Sequence, residues 1–373
     1  MMRISRSSIH RPIGTTAGVA LAVAALLAPV SASTIVADAA PGQPVQLLGG
    51  LDNPRGVAVA ANGDVYVAEA GSGGSLLLGE GPEGPLYLGR TGRILSYRPA
   101  TGSHRVLVRG LVSAASQDGS SAIGVAGLAT AGSRLYAIMG ESSNVVPPAA
   151  SGPLAAAARA QLGHLITVTP SGRTHDIADV GDFDYDWTAG HLADPPDNVQ
   201  DANPYGLLAR PGGVLVADAG SNSITAVKAN GRISEPSLVP TVEGMFLSDA
   251  VPTCIAAAGG GAYWVGTLNG VVFRYTGSEM TAADRVPLSG DHFVSIGGCT
   301  SDGHGGFYGT DQVSFFLGQP GSVFHVSADG VVTTVVPNVF APAGVALSRD
   351  GHTLYYTTGS VAAGIGQLMK VTV

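Results

Sequence analysis

Short apolar runs and polar turn residues alternate along this chain in a repeated phrase. Each copy holds an apolar run of small residues, a Gly-rich turn, and a second run with apolar side chains at alternate positions. The clearest copies are Pro54-Arg55-Gly56-Val57 leading to Val65-Tyr66-Val67-Ala68-Glu69, and Pro204-Tyr205-Gly206-Leu207 leading to Leu215-Val216-Ala217-Asp218. Weaker copies start near Ile123, Pro252, Val294 and Pro342, which makes six. Alternation at every second residue predicts half-buried strands, and self-similarity along a chain predicts radial or solenoidal packing.

Read blade by blade, the phrase expands to four short strands with turns. In the first copy, Gly56–Ala60 is an apolar strand and Asn62-Gly63 supplies a tight hairpin signal. Val65–Glu69, Gly92–Tyr97 and His104–Val108 follow as strands, with a Gly-rich excursion at 71–89. The second unit spans Ala122–Val180 and carries an insertion in which Leu154–Ala160 reads as a short helix. The third, fourth and fifth span Asn203–Thr241, Val251–Pro287 and His292–Phe340. The sixth starts at Pro342 and supplies three strands only, Gly344–Leu347, Thr353–Thr357 and Gln367–Val373. Pro44–Leu48 resembles the ends of the other units and is expected to complete that sheet, closing the ring and covering its edges. The expected fold is all-β, a six-bladed β-propeller whose N-terminal strand closes the last blade. Seven blades is the alternative, if the stretch Ser113–Asp201 holds a further unit.

The first 39 residues read differently. Arg3, Arg6 and Arg11 precede an uncharged apolar run, Ala17–Val30, followed by small residues suited to cleavage after Ala32 or Ala39. The run falls short of the roughly 20 residues a membrane-spanning helix needs, so the pattern predicts a secretory signal peptide. Residues 1–39 are thus expected to be removed and 40–373 to form one secreted domain. No later segment predicts a membrane span.

Composition narrows the partners. Charged residues are 12% of the 373 and the formal net charge is −8. No basic cluster occurs, so nucleic acid is not an expected partner. A monomer that holds a small molecule, a glycan or a protein is expected.

Phrases such as Asn53-Pro54-Arg55-Gly56-Val57-Ala58-Val59 and Leu215–Asn222 resemble NHL-type propeller repeats. From Pro44 to Val373 the chain more closely resembles the secreted ScyD/ScyE family. The residues that carry this are Gly49–Val59, Asp201–Leu208, Val216–Ser223 and Val251-Pro252-Thr253. The resemblance implies a six-bladed, TolB-like propeller, export, and no assigned catalytic residues. Members tend to open the second blade with a Gly-Pro-His-Asp-like segment. Here Ser121-Ala122-Ile123-Gly124-Val125 stands instead, with neither His nor Asp.

Candidate chemistry is sparse. The connection 181–203 is the richest polar stretch, with Asp182, Asp184, Asp186, Asp194, Asp197 and Asp201 beside Tyr185, Trp187 and His191. Carboxylates at alternate positions echo a calcium loop, but Trp187 stands where the turn glycine belongs and Ala193 where the bidentate Glu belongs. An acidic loop over one mouth of the ring is therefore the expectation, with Asp184, Asp186 and Trp187 as binding residues; calcium is the lesser alternative, and no other cofactor is expected. A second group, Asn53, Arg55, Asn203 and Tyr205, with His292 nearby, sits where strands start near the axis. Metal-dependent lactonase-like propellers place an axial Glu, Asp and Asn there to hold a divalent cation. This chain supplies the asparagines without an evident Glu and Asp, and Asn-Pro also sets turns on its own account.

Glu69, Asp218 and Asp311 recur at the ends of second strands, which argues for a structural role. No hydrolase elbow, phosphate loop or zinc spacing appears. The two cysteines are Cys254 and Cys299. Aligning Gly261-Ala262-Tyr263 with Gly306-Phe307-Tyr308 puts them at one register of successive units, pointing the same way around the ring. That favours two buried thiols; a bridge stays open, because an exported chain meets oxidising conditions. A binding or scaffold module is the leading expectation, and a metal-dependent, gluconolactonase-like hydrolase is the alternative.

Overall fold

The computed structural model describes residues 42–373 apart from 82–83, 192–198, 241–248, 277–281, 286–292 and 314–316. The signal-peptide segment, Asp194, Asp197 and His292 lie outside the described residues.

Six antiparallel sheets follow one another along the chain. Strand β1 (Val45–Leu51) precedes the first sheet and belongs to the last. Blade one holds β2 (Pro54–Val59), β3 (Val65–Glu69), β4 (Leu76–Gly81), β5 (Gly84–Arg98) and β6 (Ser103–Ala115). The Gly-rich excursion is thus a strand, β4, paired with a long extension of β5. Blade two holds β7 (Val125–Ala131), β8 (Arg134–Met139), β9 (His164–Val168) and β10 (Thr174–Asp179), with helix α1 (Pro153–Arg159) in its insertion. Helix α2 (Val180–Ala189) leads on to blade three: β11 (Pro204–Arg210), β12 (Gly213–Asp218), β13 (Ser223–Lys228) and β14 (Ser237–Leu238). Blade four is β15 (Pro252–Gly259), β16 (Ala262–Thr267), β17 (Val272–Thr276) and β18 (Ala282–Arg285). Blade five is β19 (Ile296–Ser301), β20 (Phe307–Asp311), β21 (Gly321–Val326) and β22 (Val332–Val339). Blade six is β23 (Val345–Leu347), β24 (Thr353–Thr358) and β25 (Gly366–Thr372), finished by β1, with Val45 opposite Lys370. Among the described residues, the stretch Ser113–Asp201 adds no seventh sheet.

Alternation explains why the sheets stack radially. In β12, Val214 and Val216 pack on blade two while Leu215 and Ala217 pack on blade four. Successive side chains of a strand point to opposite faces, so each central strand feeds two interfaces. Trp264 joins Phe307 and Phe324 between blades four and five, and Leu48, Leu51 and Leu368 join Val57, Val67 and Tyr97 between blades six and one. Each fully buried large side chain contributes about 1.5–3 kcal/mol. First strands touch in order around the axis, and β23 returns to β2, so the ring is closed.

Glycines let the first strands approach at the axis. A Cβ on Gly127 would lie 2.4 Å from the Tyr205 carbonyl oxygen, and one on Gly206 2.6 Å from that of Thr253. One on Gly344 would lie 2.3 Å from that of Arg55. Cys254 occupies the matching place in blade four. It is bonded to Cys299, with the Cα atoms 5.5 Å apart, so the expectation of two free thiols is corrected. Counted from the axis, Pro252 pairs with Thr267 and Ile296 with Asp311, which makes Cys254 the counterpart of Gly298. Cys299 is therefore one residue further along its strand, and a one-residue step turns a side chain to the other face. The two thiols face each other across the blade interface.

Among the described residues, no helix is long and apolar enough to cross a membrane.

Candidate functional site

Five blades start their first strand in the same manner. The residue just past the second strand donates its N–H to the carbonyl of the residue just before the first. The pairs are Ala70 to Asn53 (3.1 Å), Gly140 to Gly124 (2.9 Å), Ala219 to Asn203 (3.0 Å), Leu268 to Val251 (2.8 Å) and Gln312 to Ser295 (2.6 Å); in blade six the related bond runs from Ser360, two residues past β24, to Ala341, four before β23 (3.1 Å). These pairs frame one mouth of the ring. Glu69, Asp218 and Asp311 brace it from behind. Glu69 accepts from the Asp52 N–H at 2.7 Å, Asp218 from the Asn203 N–H at 2.7 Å, and Asp311 from the Ser295 N–H at 2.9 Å. Their recurrence is structural: each carboxylate satisfies backbone donors at a strand start.

Inside the frame lies a cavity of about 380 Å³. Its walls are mostly apolar, from Leu86, Ile123, Val251, Leu268 and Val361, with the segment Ser121–Ala126 as one side. The polar groups are Arg55, Ser121, Glu141, Asn203, Tyr205, Thr253 and Gln312. Below it, the glycine-lined throat leaves only about 50 Å³. Concave, apolar sites with a few polar groups are the usual form of small-molecule pockets.

Three of the residues expected from the sequence meet here: Arg55, Asn203 and Tyr205. The Arg55 Nη2 donates to the Ala122 carbonyl at 3.0 Å. The Asn203 Oδ1 accepts the Glu141 N–H at 3.1 Å, which pins blade three to blade two. Asn53 is elsewhere. It is fully buried at a left-handed φ of 48°, and its Nδ2 donates to the Gly71 and Gly119 carbonyls at 2.8 and 2.7 Å. It ties loops together and does not line the cavity.

The expected acidic loop is also corrected, because its first half is helix α2. The Asp179 side chain caps it by accepting the Asp182 N–H at 3.0 Å. On a helix, residues two apart point in widely different directions, so Asp182, Asp184 and Asp186 cannot wrap one ion. Asp182 accepts from the Ser142 hydroxyl at 2.9 Å and the Ser143 N–H at 2.8 Å. Asp184 points inward, where both carboxyl oxygens receive the Thr225 hydroxyl at 2.9 Å. Burial and the neighbouring Asp218 carboxylate push Asp184 well above the ordinary Asp range. Burial likewise raises Asp218 to about 6. Asp186 is exposed, and Trp187 stacks on His191 with ring centroids 3.8 Å apart. No residue of α2 lines the cavity.

Glu141 was not singled out from the sequence. It follows β8 at φ 65°, a left-handed conformation that turns the chain at the mouth. Its carboxyl is packed about by protein, and burial, with Asp201 and Asp218 nearby, pushes it up to about 8. The carboxyl is therefore largely protonated at neutral pH. Glu141, Asn203 and Asp218 recreate the residue types of an axial metal set; the Asn203 Oδ1 and Asp218 Oδ1 accept backbone N–H groups, while the Asp218 Oδ2 is buried with no hydrogen-bond partner. Among the described residues, no three His, Cys, Asp or Glu side chains converge to hold a metal ion.

No protein-family model matches the chain, and no curated protein matches it in sequence. Solved structures match in fold. A protein of unknown function from Bacteroides thetaiotaomicron aligns at a TM-score of 0.55 and 10% identity, covering 89% of this chain and 72% of its own. A gluconolactonase from Xanthomonas campestris aligns at 0.52 and 13%, covering 88% and 89%. A luciferin-regenerating enzyme aligns at 0.50 and 13%, covering 89% and 96%. At these identities the likeness is of the six-bladed propeller fold alone.

Proposed function

We propose that the chain is an exported β-propeller binding module that holds a small molecule in its mouth cavity. The observation that carries this reading is the cavity itself, about 380 Å³, apolar-walled, with Arg55, Glu141, Asn203 and Tyr205 set into one side of the frame. Membership of the ScyD/ScyE family is part of the reading, on the residues Gly49–Val59 and Asp201–Leu208. Export rests on the leader-like residues 1–39 and is supported by the Cys254–Cys299 bridge, since disulfides persist outside the reducing cytosol. The module acts as a monomer, and a glycan end or a protein loop entering the same mouth is the variant of this reading.

Native mass spectrometry of the protein purified from culture medium tests it. A bound species below about 400 Da, lost on Leu268→Trp, is expected for a pocket of this class. Recovery of the protein only from the cytoplasm, or a ligand retained unchanged by Leu268→Trp, overturns the reading.

Glu141 favours a second reading, a hydrolase acting on lactones. A carboxyl held near 8 inside a cleft suits general acid–base catalysis, which contributes about 10²–10⁴-fold in rate. Turnover of a lactone panel that falls by that order in Glu141→Gln would establish it. Repeating the assay with a chelator asks separately whether a metal takes part.

A further inference from the structure

We infer that the mouth cavity takes an organic monoanion, a compact apolar body bearing one carboxylate or similar acid group, with the Arg55 guanidinium as its counter-charge. This rests on the reading of the mouth as a small-molecule site and names the class of ligand.

The first observation is a break in symmetry. By register, Arg55 corresponds to Ala126, Tyr205, Thr253, Gly297 and Ala343 in the other five blades. The ring-closing work at this position is done by the backbone: the Arg55 carbonyl accepts from the Gly344 N–H at 3.1 Å and the Thr357 hydroxyl at 3.0 Å. Alanine or glycine serves at the equivalent place in half of the blades. The guanidinium is therefore not required by the fold of the ring.

The second observation is that the charge has no partner. Arg93 pairs with Glu69 and Asp52, and Arg98 with Asp64. No carboxylate lies within ion-pair distance of Arg55 among the described residues, although the chain carries 27 acidic residues. Its one hydrogen bond, to the Ala122 carbonyl, engages one of five guanidinium donors. The nearest mouth acids do not neutralise it. Glu141 is held largely protonated, and Asp218 does not line the cavity, its Oδ1 accepting backbone N–H groups behind the frame. A cation beside apolar walls is stabilised by an anion that enters with it, and the planar fork matches a carboxylate in two parallel bonds.

The third observation sets the class. Arg55 is the one cationic residue lining the cavity among the described residues, so the site is matched to one negative charge rather than to a phosphate dianion. Beside the polar groups Glu141, Asn203, Thr253, Gln312 and Ser121, the lining is mostly apolar, from Leu86, Ile123, Val251, Leu268 and Val361 with the Tyr205 ring, which suits a ligand with an apolar body.

Isothermal titration of the protein at pH 7 with 2-naphthoate and with its neutral isostere 2-naphthamide tests the inference. The naphthoate is expected to bind at least about ten-fold more tightly, as a charge-assisted pair provides. Arg55→Gln is expected to erase that preference, and Arg55→Lys to keep part of it. Should the Gln variant misfold, the wild-type comparison and the Lys variant still decide. Equal affinities in the wild type, or a preference that survives Arg55→Gln, overturn the anion inference and leave the small-molecule reading standing. Absence of binding by both probes to millimolar concentration overturns the inference. Binding that Leu268→Trp fails to weaken puts the site outside the cavity and overturns the broader reading with it.

Discussion

Cys254 and Cys299 are joined across the interface of blades four and five, the first in the place where other blades carry an axial glycine and the second one residue further along its strand. The bond closes a loop with a sequence separation of 45 residues. Loop-closure entropy assigns such a cross-link about 4 kcal/mol. Spread over the unfolding entropy of a domain this size, that corresponds to a Tm change on the order of 6 °C. Reduction, or Cys254→Ser with Cys299→Ser, is expected to lower the Tm by that order in scanning calorimetry. A melt unchanged by reductant would show that the bridge contributes nothing to the closed ring.

The N-terminal strand is the other closure. Val45–Leu51 pairs with β25, and Leu48 and Leu51 are buried between blades six and one. Leu51→Ala removes buried methyl groups and is expected to cost about 2–4 kcal/mol in urea unfolding. Deleting residues up to Leu51 bares the edge of β25, and the product is expected to elute as aggregates on size exclusion. A deleted chain that elutes as a monomer with an unaltered Tm would mean that the ring closes without its leading strand.

Buried carboxyls set the pH response. Glu141 is raised to about 8, Asp218 to about 6, and Asp184 well above its ordinary value. Between the ordinary carboxyl range and these raised values the folded chain binds more protons than the unfolded one, so stability falls as pH rises through that window. Denaturation midpoints in urea are expected to drop from pH 5 to pH 9. Asp184→Asn keeps an acceptor for Thr225 and a donor toward Asp218, and is expected to flatten part of that slope. Thr225→Val leaves Asp184 without its hydroxyl donor and is expected to cost about 1–3 kcal/mol. A midpoint that climbs steadily to pH 9 would refute the assignment.

The blades and the closing strand were legible because each strand declares itself locally, by alternation and by turn residues such as Asn62-Gly63. Arg55, Asn203 and Tyr205 were legible for the same reason, as repeated strand starts near an axis. What was hidden depends on register between distant segments. Glu141 carries no motif, and it enters the mouth only because β8 ends where Asn203 can bind its N–H. The cysteines share a register only when their blades are aligned at the outer ends; β16 is one residue longer than β20, so at the axis the two positions differ by one residue. Alternate aspartates suggested an ion loop, while the cap from Asp179 to the Asp182 N–H, three residues on, marked a helix start.

Axial glycines give the most direct test of the ring. Gly127 faces the Tyr205 carbonyl, where an added Cβ would sit at 2.4 Å, closer than real contacts allow. Its two nearest neighbours are backbone atoms of β11, which cannot rotate away as a side chain would. Gly127→Ala must therefore push blades two and three apart at the throat, opening the interface that Ile138 and Val216 fill. Overpacking of this kind costs about 1–3 kcal/mol, and the rigid partner places it at the upper end. Gly63→Ala is the matched control, since its Cβ would meet nothing within 4 Å and only the positive φ of 83° opposes it. The loss of stability in urea is expected to be larger for Gly127→Ala than for Gly63→Ala. Equal losses would mean that the first strands do not pack backbone to backbone around the axis, and the closed throat beneath the cavity would go with them.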